Sequence, residues 1–273
     1  MVNVLKLRCT GVIRRKVYLR RDRPLIEAMA IHSLVVRLSS LGDLDRLPAI
    51  IGGAADVVAF VIEEDILEAV GAYELLDLAE EAGVKTSSIR VLGEISSVEA
   101  LEKLALMSSE TLQRTAVIEY TPRLDLDKLF DTFAVNKARV LLDAPPARVD
   151  EAYGRVREYI GGVVGLSLSE HKFAGTEDFI AKLDRYLRVV RSVSLTNIDE
   201  EGRGVPLLRP SRFNNPAVIR FLIERGYDEE ISIDVHGPSA ADEYRAFREY
   251  ARSIEEKVRG RSPFLLRRGG VHL

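Results

Sequence analysis

Carboxylates, imidazoles and a lysine gather where short β-rich runs end. Glu63 and Glu94 follow two such runs, Glu119 lies on a third and Asp143 closes another; Glu170, His171 and Lys172 follow one more, and Asp234 and His236 end the last. Oxygen and nitrogen donors of this kind suit two chemistries. They can converge on a divalent cation, or they can move protons as general acids and bases. Each also has a plainer use. Asp143 before Ala144-Pro145-Pro146 and Glu63 before Glu64-Asp65 fit helix caps or rim ion pairs equally well. Ser169 lies near His171, but no G-x-S-x-G elbow accompanies the pair, so a hydrolase triad has little support. His32 precedes the first run and is expected to be structural, as His272 in the tail is expected to be unused.

The elements that would position these groups recur with a steady beat. The β-rich runs are 33–38, 56–62, 88–93, 115–120, 138–143, 163–168, 192–197 and 230–235. Helical patterns separate them, with apolar residues such as Ile66, Leu67, Val70, Tyr73, Leu76 and Ala79 at helical spacing. Ser96 and Glu99 form a candidate capping box, Asn215-Pro216 a candidate helix start, and Gly226 a stop. Strands alternating with helices imply parallel crossovers. Eight such units predict an α/β fold, a (β/α)8 TIM barrel; an open doubly wound sheet is the alternative. No G-x-G-x-x-G follows an early strand, which counts against a dinucleotide fold. The barrel is expected over residues 32–258. An N-terminal β-hairpin extension is expected over 1–31 and a basic tail over 259–273.

Active sites of such barrels form at the C-terminal ends of the strands. Alternation along a strand then sorts the side chains. Ser232, Asp234 and His236 share an inward face, as do Ser194 and Thr196, and Gly165, Ser167 and Ser169, with Glu170 and His171 above them. A purely structural barrel core would favour Val, Ile and Leu at these positions.

The single cysteine, Cys9, rules out an internal disulfide and a Cys-rich zinc site. A formal charge of −3 gives no global attraction to nucleic acid or anionic membranes. The chain carries no long apolar run, so no membrane contact and a cytoplasmic setting are expected. The absence of Trp, with abundant Arg and Glu, hints at a thermophile. The basic N-terminal segment reads as a solvated edge or as a phosphate or RNA contact.

The segments VGLSLSEHKFAG, SVSLTNIDEEGRGVPLL and NNPAVIRFLIERGYDEEISIDV resemble the xylose isomerase-like barrels, which include sugar isomerases and epimerases and endonuclease IV-type proteins. The resemblance covers about the last 110 residues by motif, the rest by strand count alone. It implies a divalent cation, Mg, Mn or Zn, held by acids and imidazoles at the strand ends. Carried over by position, the strand-eight acid falls on Asp234, the strand-six imidazole on His171, and the mid-barrel acid on Asp143 or Glu119; Glu170 completes the candidate metal set of Asp143, Glu170, His171 and Asp234. The strand-seven motif departs from the family: Ser194 stands for its imidazole and Asn197 for its carboxylate. A trinuclear zinc nuclease would need more histidines than the four present.

Two functions follow from the resemblance. One is a sugar isomerase or epimerase acting on a small hydroxy-carbonyl compound, with Glu119, Asp143, His171 and Lys172 as catalytic candidates and Asn197, Arg209, Arg212 and His236 as substrate-binding candidates. The other is a metal-free, non-catalytic barrel of the same ancestry that binds a ligand or a partner. The long 199–214 loop is a lid whose arginines meet an anionic substrate, or else a subunit contact within a homo-oligomer.

Overall fold

A computed structural model describes residues 30–40, 42–45, 53, 55–71, 73–159, 162–236 and 240–261. Strands β1 (Ile31–Leu38), β2 (Val57–Glu63), β3 (Lys85–Leu92), β4 (Thr115–Glu119), β5 (Arg139–Asp143), β6 (Val164–Ser169), β7 (Val190–Thr196) and β8 (Glu230–Asp234) close into one parallel barrel. The predicted (β/α)8 architecture is therefore present, and each expected run carries its strand. The expected N-terminal hairpin lies almost wholly outside the described residues, as does most of the basic tail.

Helices wrap the barrel in chain order. They are α1 (Gly42–Asp45), α2 (Glu64–Ala69), α3 (Glu74–Glu81), α4 (Val98–Ser109), α5 (Leu126–Val135), α6 (Val149–Val156), α7 (Thr176–Tyr186), α8 (Asn215–Glu224) and α9 (Ala240–Arg261). The core is the layer between strands and helices, built from residues such as Phe60, Ile89, Leu142, Leu166, Leu195 and Ile233 facing Leu104, Phe133, Phe179 and Leu222. Fully burying each such side chain is worth about 1.5–3 kcal/mol.

Three local expectations need correction. The stretch after β2 is two helices, because α2 ends at Ala69 and Gly71 opens the turn into α3. The cap of α4 is Ser97, whose side chain accepts from Ala100 N, while Ser96 donates to Glu64 instead. The cap of α8 is Asn214; Asn215 turns inward and donates to Thr196 O at 2.8 Å. In the last two cases neighbouring polar residues competed for one cap, and packing of the loop decided which won.

The stagger of the barrel decides which inner residues meet. Successive partners descend from Glu119 on β4 to Asp143, Ser167, Ser192 and finally Glu230 on β8. A hydrogen-bonded row that starts at the mouth thus ends at the floor, as strand tilt requires. At the floor Glu230 is fully buried among serine hydroxyls. Ser33 and Ser192 each donate to it at 3.0 Å, Ser88 reaches both oxygens at 2.9 Å, and Ser87 joins them. Two consecutive serines can face one carboxylate because the β2–β3 register slips between Val58 and Ala59, which leaves Ser87 as the extra residue of a bulge on β3.

Candidate active site at the barrel mouth

The inward faces of the strands and the turn after β6 bring three cations and three carboxylates to the C-terminal end of the barrel. A small cavity of about 50 Å³ is lined there by Arg37, Arg90, Glu119, Asp143, His171, Lys172, Ser194 and Asp234, with Val35, Val61 and Leu92 among its apolar walls. The strand ends deliver Glu119, Asp143 and Asp234; the 3-10 turn Glu170–Lys172 that leaves β6 delivers His171 and Lys172.

Asp143 is the hub. Arg90 Nη1 donates to its Oδ2 at 2.8 Å, Ser169 Oγ donates to the same oxygen at 2.7 Å, and Lys172 Nζ stands 3.0 Å away. Arg90 also donates to Ser169, and more weakly to Ser167 at 3.3 Å. Burial alone would raise the Asp143 pKa, but Arg90, Lys172 and the Ser169 hydroxyl outweigh it and hold the carboxyl below its ordinary value. Asp234 is held by the Arg37 guanidinium through both oxygens. His171 is half-buried; burial lowers its pKa against the opposing pull of Asp143, so the ring is neutral at pH 7.

Lys172 bridges two acids. Its ammonium lies 3.5 Å from Glu119 Oε1 as well as 3.0 Å from Asp143 Oδ2. Glu119 and Arg37 are the open members of the cluster, with side chains 44% and 45% exposed, whereas Asp143 is 3% exposed. A ligand entering from solvent meets those two first.

The candidate catalytic residues Glu119, Asp143, His171 and Lys172 thus line one cavity, together with Asp234. The other candidates are placed elsewhere. Glu170 points away from the cavity and is fully buried: Oε2 accepts from Thr196 N at 3.0 Å, and Oε1 has no hydrogen-bond partner among the described residues. Burial raises its pKa to about 8, so it is an uncharged acid at neutral pH. Asn197 is a buried tie between loops, donating to Val205 O and His236 O and accepting from His236 N. Arg212 donates to Phe173 O, and Arg209 is exposed. Neither arginine lines the cavity. His236 lies beside it, half exposed, with Nε2 3.8 Å from Asp234 Oδ1. Glu63 and Glu94 are exposed on the rim. His32 is half-buried, packed edge-on against Phe247 at the opposite end, where desolvation takes its pKa down to about 4.

The donor set fits a divalent cation poorly. Of the four residues expected to hold it, Glu170 is turned away, and Asp143 and Asp234 already carry arginine or lysine partners. Among the described residues no group of three or more His, Cys, Asp or Glu is arranged to hold an ion. A dication would have to sit among Arg37, Arg90 and Lys172, whose charges already balance Glu119, Asp143 and Asp234. Of the expected set, Asp143, His171 and Asp234 line the cavity and Glu170 does not.

Arg37, Arg90 and Glu230 were absent from the sequence candidates. A signal for them existed. Ser33, Val35 and Arg37, then Ser88, Arg90 and Leu92, alternate like the faces read on β6 to β8, and Glu230 shares the face of Ser232 and Asp234.

No family model and no curated protein matches this sequence. Solved structures do resemble the fold. An L-ribulose 3-epimerase superposes with a TM-score of 0.58 at 13% identity, over 88% of this chain and 100% of that one. A xylose isomerase-like TIM barrel protein from Mycobacterium smegmatis, solved in complex with magnesium, gives 0.59 at 14% identity over 79% and 88%. An AP endonuclease, family 2, from Brucella melitensis gives 0.56 at 14% identity over 81% and 99%. Among the described residues no helix is long and apolar enough to cross a membrane. At these identities the likeness speaks for architecture, and this chain has the fold of the xylose isomerase-like TIM barrels.

Proposed function

We propose that the barrel mouth is an isomerase- or epimerase-type proton-transfer site for a small, uncharged hydroxy-carbonyl compound of the sugar class, run by organic cations in place of a metal. The observation that carries this reading is the Lys172 ammonium, set between the buried Asp143 and the open Glu119 inside a cavity at the strand ends. Likeness of fold to an L-ribulose 3-epimerase supports the class of reaction by analogy only.

In this reading Glu119 takes a proton from the carbon beside the substrate carbonyl. The electron pair moves onto the carbonyl oxygen, and Lys172 stabilises the charge that develops there. Return of the proton by Glu119 to the neighbouring carbon gives isomerisation; epimerisation takes a second proton donor on the opposite face of the same carbon. His171, neutral, has one ring N–H to donate and one nitrogen to accept, which suits proton movement between adjacent substrate oxygens. Asp143 stays ionised and anchors the Lys172 ammonium at 3.0 Å. Arg37 and Asp234 offer a donor and an acceptor to substrate hydroxyls.

One observation favours a second reading, a barrel that binds a ligand without turning it over. The cavity holds only about 50 Å³, and each of its cations already has an acid partner. Proton NMR in D2O with a panel of aldoses, ketoses and hydroxy-ketones, with chelator present, separates the two. Deuterium uptake beside the carbonyl, reduced on the order of 100-fold or more in Glu119→Gln and Lys172→Met, supports the first. Saturable binding without uptake establishes the second. Uptake that appears only when Mg²⁺ or Mn²⁺ is supplied would overturn the metal-free chemistry.

A further inference from the structure

Glu170 and Arg212 take no part in the proton transfer described above, yet both are tied to the short turn that presents His171 and Lys172. We infer that they are positioning residues, clamping that turn at its two ends so that the loop after β7 sets where the Lys172 ammonium stands. The inference rests on the proposed role of Lys172 for its catalytic meaning, but its geometry stands alone.

The turn Glu170–Lys172 spans only three residues and ends on the backbone bond from Phe173 N to Glu170 O at 2.9 Å. A 3-10 turn this short has little stability of its own. At its entry, Glu170 Oε2 accepts from Thr196 N, the last residue of β7. At its exit, Phe173 O accepts from Arg212 Nη2 at 2.8 Å, and the guanidinium lies 5.0 Å from the centre of the Phe213 ring. Thr196 and Arg212 bracket one segment, the loop between β7 and α8.

That loop is itself fixed from within. Asn215 donates to Thr196 O and to Leu207 O, Asn197 ties Val205 to His236, and Asn214 N donates to Thr176 Oγ1 at the start of α7. Phe173 and Phe213 are buried beside the clamp. Lys172 has a long flexible side chain, so its distances to Asp143 and Glu119 depend on where the turn holds its backbone. Losing either end of the clamp frees the turn while leaving every cavity-lining side chain in the sequence.

The test reads Lys172 directly. Lysine modification by formaldehyde and borohydride, resolved by peptide mass spectrometry, is compared in the unmodified sequence, Arg212→Ala, Glu170→Ala and Glu170→Gln, each confirmed folded by circular dichroism. Arg212→Ala and Glu170→Ala should speed Lys172 modification roughly fivefold or more, as local opening exposes the amine, with the exposed Lys128 as an unchanged control. Glu170→Gln keeps an oxygen for Thr196 N and should stay near the parent rate. Where hydroxy-carbonyl exchange is measurable, the two alanine variants should lower kcat more than they raise KM. Unchanged Lys172 modification in folded Arg212→Ala and Glu170→Ala overturns the inference. Should Glu170→Ala not fold, Arg212→Ala with its partly exposed side chain decides alone. A parent protein with no exchange activity but with the predicted labelling pattern would sink the proposed reaction and leave the clamp standing.

Discussion

Arg90 and Asp143 face each other across the inside of the barrel, Nη1 to Oδ2 at 2.8 Å, although β4 separates their strands. Both side chains are nearly removed from water. The pair therefore fixes the mouth of the barrel from within, and it places a guanidinium against one of the carboxylates that line the cavity.

Removing one partner of this pair should cost more than removing both. Arg90→Met leaves Asp143 buried with Lys172 as its remaining cation, and breaking a buried pair from one side costs about 3–5 kcal/mol. The Arg90→Met/Asp143→Asn double variant should regain part of that loss. Urea unfolding of the parent, Arg90→Met, Asp143→Asn and the double variant checks it; additive losses would mean that the pair is not coupled.

Glu170 predicts an unusual response to alkali. Its carboxyl is raised to about 8 in the folded protein by burial, against an ordinary 4.5. The folded state therefore holds its proton while the unfolded state releases it. From this group, stability is undiminished below about pH 4.5, falls through the interval up to about pH 8, and then levels off. The full loss is on the order of 4–5 kcal/mol. Glu170→Gln removes the proton and with it this slope, so the variant should melt higher than the parent at pH 8 and close to it at pH 4.5. Equal melting temperatures at pH 8 would count against a buried neutral acid.

Asp143 should act in the opposite sense. Its pKa is held below the ordinary value chiefly by Arg90 and Lys172, against burial. Its contribution is present above the unfolded value near 4 and disappears as pH falls through the lower folded value. Asp143→Asn should be less stable at pH 7 and should flatten the acid limb of the stability curve. An unchanged acid limb, measured by urea titration between pH 2 and 5, would contradict this.

Gly204 marks a close approach that only a missing side chain permits. A Cβ there would lie 2.1 Å from His236 O, a backbone atom that cannot rotate aside. The Ile198–Gly204 bridge and the Asn197 bonds hold the loop at that distance. Gly204→Ala should destabilise by roughly 1–3 kcal/mol, the usual cost of overpacking, and should loosen the loop that positions Lys172. Hydrogen exchange over residues 197–214 reads the second effect; parent-like protection there would show that the loop accommodates the methyl.

At the floor, Glu230 is predicted to matter for folding and not for chemistry. Its oxygens accept hydrogen bonds from the hydroxyls of Ser33, Ser87, Ser88 and Ser192. Glu230→Ala strands several buried hydroxyls, each at a cost of about 1–3 kcal/mol when no other partner is found. Calorimetry should show a large drop in melting temperature, while ligand affinity at the mouth changes little in the fraction that remains folded.

The eight strands, their order and the small polar inner faces of β6, β7 and β8 were legible in the sequence alone. Period-two alternation and helical spacing are local properties, and eight alternating units leave few ways to bury two apolar layers. Alternation also set Asp234 inward and put Asp143, His171 and Lys172 at strand ends. Partnership was another matter. Whether Asp143 faces a cation, a metal or a helix end depends on barrel stagger, which brings Arg90 across from a strand two away and Lys172 over from the next turn. The same stagger carries Glu230 to the floor. Glu170 and Lys172 are two residues apart, yet the turn sends one into the wall and the other into the cavity, because Thr196 N in a neighbouring strand offers the first a bond. Sequence spacing determined which groups stand at the strand ends of this barrel. Only the closed, tilted sheet decided which charge each of them meets.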